Sequence, residues 1–187
     1  MTTEEDSQHL RDWCIALKKG ANDYRPLIAS KIDSEIEPDL RRELFMLLGL
    51  ECARLEDITG QIEVFEKAVK EFPMDPFMHT SLAGAYAYFS YDLPRALVVM
   101  NEAVEVARKT KQFRRQVLYS KAWLLRDMKD YQGLERCLLE IIVEPRSETA
   151  DIAKEDDFLN NLPPGAISDE VLKAYAEFMA RQFNDQG

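Results

Sequence analysis

The side chains able to do acid, base, nucleophilic or metal chemistry in this chain are few in kind and far apart. Histidine occurs twice, at His9 and His79, and cysteine three times, at Cys14, Cys52 and Cys137. A metal centre or an activated thiol needs such residues at a spacing that brings them together. None of the cysteines has a histidine or a second cysteine at a ligand spacing, and each sits inside an apolar helical pattern. They read as reduced core thiols rather than zinc ligands. Carboxylates are abundant, but "EEDS", "EDD" and "SDE" fall at helix starts or in connectors, where capping and solvation occupy them. No Gly-rich phosphate loop, nucleophile elbow or His-Glu-x-x-His stands anywhere in the chain. The expectation is a protein that is not an enzyme, with no catalytic residue, cofactor or metal.

What the chain has in place of chemistry is apolar surface. Of its 187 residues, 46% are hydrophobic and 31% charged, with only 7 glycines and 8 prolines. That composition supports one helical domain with a sizeable core and argues against an all-β chain or a flexible linker. The balance of 24 basic against 34 acidic residues gives a formal charge of -10. Such a field repels phosphate backbones and anionic lipid, so nucleic-acid and membrane partners are disfavoured. The acidic start "MTTEEDSQHL" reads as neither a secretory signal nor a transit peptide. No stretch approaches the ~18 apolar residues of a membrane span. A cytoplasmic location is expected.

Helical periodicity organises the rest. In "LFMLLGLECARLEDITGQIEVFEKAVKEFP", Leu44, Leu47, Leu48 and Cys52 share one face and Ile62, Phe65, Ala68, Val69 and Phe72 another, with a break around "EDITG". Asp75 before Pro76 is a capping residue followed by a first-turn proline, so a new helix starts there. A second break at "SYDLP" leads into "RALVVMNEAVEVARK". Phe65 and Ala68, Met100 and Ala103, and Leu138 and Ile141 are then matching pairs in successive helices.

Helix pairs recurring near ~34 residues, with large and small residues at fixed slots, resemble tetratricopeptide repeats. Residues 42–75 match best, through Phe45, Leu48, Gly49, Phe65, Ala68 and Pro73. Residues 76–110 supply Leu82, Ala83, Tyr86, Ala96, Met100 and Ala103, with one extra residue assigned to the turn. Residues 115–148 supply Leu118, Ala122, Leu134, Leu138 and Ile141. A degenerate copy over 8–41 has Leu10, Trp13, Cys14 and Leu17 on one face, Tyr24 placed like Tyr131, and Leu27, Lys31 and Ser34 in the second-helix slots. A plain helical hairpin is the other reading of that segment. The resemblance implies an all-α, right-handed α-solenoid over residues 1–148 with a shared core between copies. It places His79 among packing residues.

After residue 148 an acidic connector (149–167), with at most a short helix around Asp156 to Asn161, leads to a helix over 168–187. Ser168 caps it, Asp169 and Glu170 occupy its first turn, and Val171, Leu172, Tyr175, Phe178, Met179 and Phe183 form an apolar stripe. That stripe must cap the last repeat, lie in the groove of its own stack, or pair with a second chain. Capping is the expected solution.

The resemblance further implies a concave groove that holds a peptide or helix of another protein. Its inward slots carry Glu43, Met46, Leu50 and Arg54, then Phe77, Thr80, Gly84 and Tyr88, then Gln116, Tyr119, Trp123 and Asp127. Of these, Met46, Leu50, Arg54, Phe77, Tyr88, Tyr119, Trp123 and Asp127 are the eight expected binding residues. One branch of the family grips a C-terminal carboxylate with Lys and Asn, but those slots hold Met46, Leu50, Ser81, Gln116 and Ser120 here, so that clamp is absent. Two readings follow. The chain is an adaptor or chaperone-like module using this groove, or a structural or regulatory subunit that forms a homodimer through its C-terminal helix, the groove being already filled.

Overall fold

A computed structural model of the chain describes residues 23–34, 37–144, 159 and 162–184, with side chains to residue 181. The apolar face expected from Leu10, Trp13, Cys14 and Leu17 lies outside these residues, as does the side chain of Phe183. The short helix expected near 156–161 also lies outside them, apart from Leu159 in a turn.

Every described element is helical. They are α1 (Arg25–Asp33), α2 (Pro38–Arg54), α3 (Ile58–Glu71), α4 (Pro76–Gly84) running into a π-helical turn (Ala85–Phe89), α5 (Leu93–Thr110), α6 (Arg114–Asp127), α7 (Tyr131–Val143) and α8 (Asp169–Asn184). Packing runs chiefly between successive elements, with α4 also touching α6 and α8 lying on α7.

Three of the helix pairs turn in the same way. Glu56, Tyr91 and Lys129 each take the left-handed conformation, with φ of 58°, 57° and 60°. An aspartate follows each one and caps the next helix: Asp57 accepts from Gly60 N–H, Asp92 from Arg95 N–H and Asp130 from Gly133 N–H. A cap of this kind satisfies a helix-start donor that has no partner of its own and contributes about 1 kcal/mol. Asp75 caps α4 on Phe77 N–H at 2.8 Å, and Ser168 Oγ accepts from Val171 N–H at 3.4 Å, so both expected helix starts stand where the sequence placed them.

The middle turn shows where the extra residue goes. Asp57 N–H bonds back to Cys52 O and Asp130 N–H to Leu125 O, whereas Asp92 N–H reaches one residue further, to Tyr86 O, all at 2.9 Å. The sequence pattern places the surplus residue in the turn, but the turn keeps the same left-handed residue and capping aspartate as the other two. The extra residue is absorbed inside the helix as the π-helical stretch Ala85–Phe89, the usual fate of a single insertion that must not disturb the flanking contacts.

The first hairpin requires a second correction. Ile28 and Ile32 are buried, whereas Leu27 is 54% exposed and Lys31 and Ser34 face solvent. Relative to the caps, Ile28 and Ile32 occupy the places of Gln61 and Phe65, so Tyr24 corresponds to Asp57 and not to the residue after it. The register of this copy is one residue later than expected. Tyr24 offers no capping side chain, which removes the usual marker of the helix start.

One apolar core runs from α1 to α8. Ala68, Ala96, Ala103 and Ala122 are fully buried at helix crossings, where small side chains let backbones approach. The last helix joins this core through Val171, Tyr175 and Phe178. Tyr175 Oη donates to Tyr119 Oη at 3.2 Å, the Arg115 guanidinium lies 5.1 Å from the Phe178 ring centre, and Ser168 donates to Glu135. These contacts fasten α8 to both α6 and α7.

Candidate functional site

Elements α4, the π turn, α5 and α6 enclose a slot of about 150 Å³. Its apolar lining comes from Ala83, Ala87, Met100 and Leu124, and its aromatic walls are Tyr88 and Trp123. Gly84 lines it too, and a Cβ added there would meet nothing within 4 Å. Thr80 and Ser120 complete the rim. The π turn thus sits in the wall of the slot, carrying Ala87 and Tyr88. π-bulges are frequent where a helix has been adapted to a functional site.

The polar groups of the rim point one way chemically. Thr80 Oγ1 donates its proton to Pro76 O at 2.8 Å, and Ser120 Oγ donates to Gln116 O at 3.2 Å. With those protons engaged, both hydroxyls present only lone pairs to a visitor. Trp123 is held by Arg126, whose guanidinium lies 4.0 Å from the ring centre and pairs with Asp127 at 2.7 Å. Burial, and next the Asp127 carboxylate, push the Tyr88 phenol above its usual pKa, with Arg126 opposing less strongly.

Of the eight groove residues expected from sequence, Tyr88 and Trp123 share this slot. Leu50 is 60% exposed on α2. Met46 is half-buried, with Ser81 Oγ donating to its sulfur at 3.4 Å. The remaining four have local tasks. Phe77 packs on Phe113 at 4.3 Å between ring centres, with Arg42 over its ring. Tyr119 is engaged by Tyr175 and donates to Met179 Sδ at 3.5 Å. Asp127 pairs with Arg126. Arg54 chelates the buried Glu51 at 2.6 and 2.7 Å, and Glu51 also accepts from Tyr24 N–H, joining α1 to α2. The Arg54 hydrogen bonds hold the Glu51 carboxyl below its usual range.

Sequence reasoning did not find Ala87, Met100 and Leu124 as slot residues. The surplus residue between Ala83 and Asp92 was the available signal for Ala87. Met100 and Leu124 read simply as core.

The potentially reactive groups that are described are engaged elsewhere. His79 is buried, with Nδ1 3.0 Å from Asp75 O, which fixes Nδ1–H as the donor. Burial pushes the Cys52 thiol up, and takes that of Cys137 to about 12. Cys137 Sγ–H donates to Leu118 O at 3.2 Å. Among the described residues no three His, Cys, Asp or Glu side chains group as metal ligands, and no helix is long and apolar enough to cross a membrane. No protein-family model, curated protein or solved structure matches the chain.

Proposed function

We propose that this chain is a non-catalytic protein–protein interaction module, adaptor or chaperone-like, that holds a peptide or helix of another protein in a groove through Tyr88 and Trp123. In this reading the hairpins are tetratricopeptide-like and stack into a right-handed solenoid over residues 1–148. Residues 149–167 connect to a capping helix over 168–187, and the protein works in the cytoplasm.

The observation that carries the proposal is the slot itself. Tyr88 is 51% exposed beside an open, apolar cavity that Trp123 also walls. Tyrosine and tryptophan are enriched among the few residues that carry most of the binding energy at protein interfaces. The repeated αL-Asp turn supports a stack of equivalent hairpins. Self-association through the last helix has less to rest on, because Val171, Tyr175 and Phe178 are buried in the chain's own core.

Affinity capture from the source lysate tests the proposal. Wild-type bait is compared with a Tyr88→Ala/Trp123→Ala variant of equal helicity. A protein retained only by the wild type is the expected result. Identical captures by both baits would remove the groove from the account, and capture of nothing but the chain itself would replace it with self-association.

A further inference from the structure

We infer that the Tyr88–Trp123 slot is an anchor pocket for one phenyl- or leucyl-sized side chain, presented by a partner segment with lysine or arginine beside the anchor. This inference rests on the groove reading above and adds the chemistry of its occupant.

Size comes first. A cavity of about 150 Å³ with an apolar lining accepts a guest of benzene size, and an apolar site of this kind gains nothing by holding water. An indole would overfill it, and an alanine methyl would leave most of it empty. The floor residues Ala83, Ala87, Met100 and Leu124 are all buried, so the depth of the slot is set by packed helices rather than by mobile side chains. Gly84 keeps one wall open. A glycine inside a helix costs about 1 kcal/mol relative to alanine, yet nothing in the fold crowds this position. Its φ and ψ of -61° and -41° are ordinary helical values, so neither conformation nor packing requires glycine there. What the missing side chain leaves is space in the slot.

Charge comes second. Thr80 and Ser120 offer the rim only acceptors, and the Arg126–Asp127 pair beside Trp123 is neutral as a unit. The chain as a whole carries -10. A segment with hydrogen-bond donors and positive charge beside its apolar anchor matches both, and an acidic segment would be repelled.

The test uses 13C-methyl labels on alanine and methionine in the full chain, titrated with N-acetyl-phenylalaninamide and, as control, N-acetyl-alaninamide. Saturable shifts at Ala83, Ala87 and Met100 with the phenylalanine probe alone are expected. Gly84→Leu, which fills the slot, should abolish them, and Gly84→Ala should weaken them while leaving helicity unchanged or raised. An equal response to both probes, or a response that Gly84→Leu leaves intact, overturns the inference. Charge is read with Ac-Lys-Lys-Phe-Lys-Lys-amide against Ac-Glu-Glu-Phe-Glu-Glu-amide. The basic peptide should bind at least tenfold tighter at low salt, with the gap closing as salt rises; the reverse order overturns that part. If a partner is captured through Tyr88 and Trp123 while the slot ignores the phenylalanine probe, the groove stands and the anchor inference falls. If no partner depends on these residues, the groove reading itself has failed.

Discussion

The Phe65 ring of α3 lies where Gly49 of α2 would carry a side chain. A Cβ built on Gly49 would come within 2.7 and 2.9 Å of Phe65 Cε2 and Cε1, closer than real Cβ atoms approach. Both residues are buried, so the ring has no solvent to retreat into. Gly49→Ala should therefore destabilise the chain by roughly 1–3 kcal/mol, despite the better helix propensity of alanine. Phe65→Leu in the same chain should recover part of the loss, because the two substitutions share one contact. Chemical denaturation of the two single variants and the double variant measures the coupling. Strictly additive costs would mean that the two residues do not meet.

The last helix is fastened locally, which gives the proposed stacking a distinct signature. Tyr175 is 2% exposed and donates to Tyr119. Tyr175→Ala should cost about 3 kcal/mol of local stability. In a stack whose copies touch only their neighbours, the damage stays near the change. Amide hydrogen exchange should accelerate in α8 and α7 while α2 and α3 keep their protection. Uniform acceleration through all the helices would point to a single cooperative bundle.

Tyr86 makes high pH destabilising in a defined window. It is buried, its hydroxyl donates to Glu66 Oε1 at 2.6 Å, and burial followed by that carboxylate pushes its pKa from 10.0 up to about 12. Below about pH 10 folded and unfolded chains both hold the proton, and its stabilising effect is fully present. Between about 10 and 12 the unfolded chain releases the proton first, so stability falls as pH rises through the folded value. Unfolding free energies from pH 9 to 12 should drop less steeply in Tyr86→Phe than in the wild type. Equal slopes would show that Tyr86 does not titrate late.

What sequence could and could not show follows from how local each signal is. Asp75-Pro76 and Ser168-Asp169-Glu170 mark helix starts through bonds made within a few residues, and both stand as expected. The surplus residue before Asp92 was visible as a count, but a count cannot say whether a turn or a helix takes it up. Backbone bonding chose the helix. In α1, Leu27 and Ile28 are adjacent apolar residues, and without a capping side chain at Tyr24 nothing local chooses between them. Phe77 and Tyr119 stood in inward slots, but Phe113 and Tyr175, from a connector and from the last helix, claim them. Those contacts come from outside the repeat pattern, which cannot announce them.

The most direct test is the affinity of a captured partner, measured by calorimetry for the wild type, for Tyr88→Ala/Trp123→Ala, and for a control pair, Leu139→Ala/Val143→Ala. Leu139 and Val143 are exposed apolar residues of α7 that do not line the slot. The account predicts a loss of at least about 2 kcal/mol, roughly thirtyfold, for the slot pair and an unchanged affinity for the α7 pair. Full affinity without Tyr88 and Trp123, or a loss confined to the α7 pair, would contradict it.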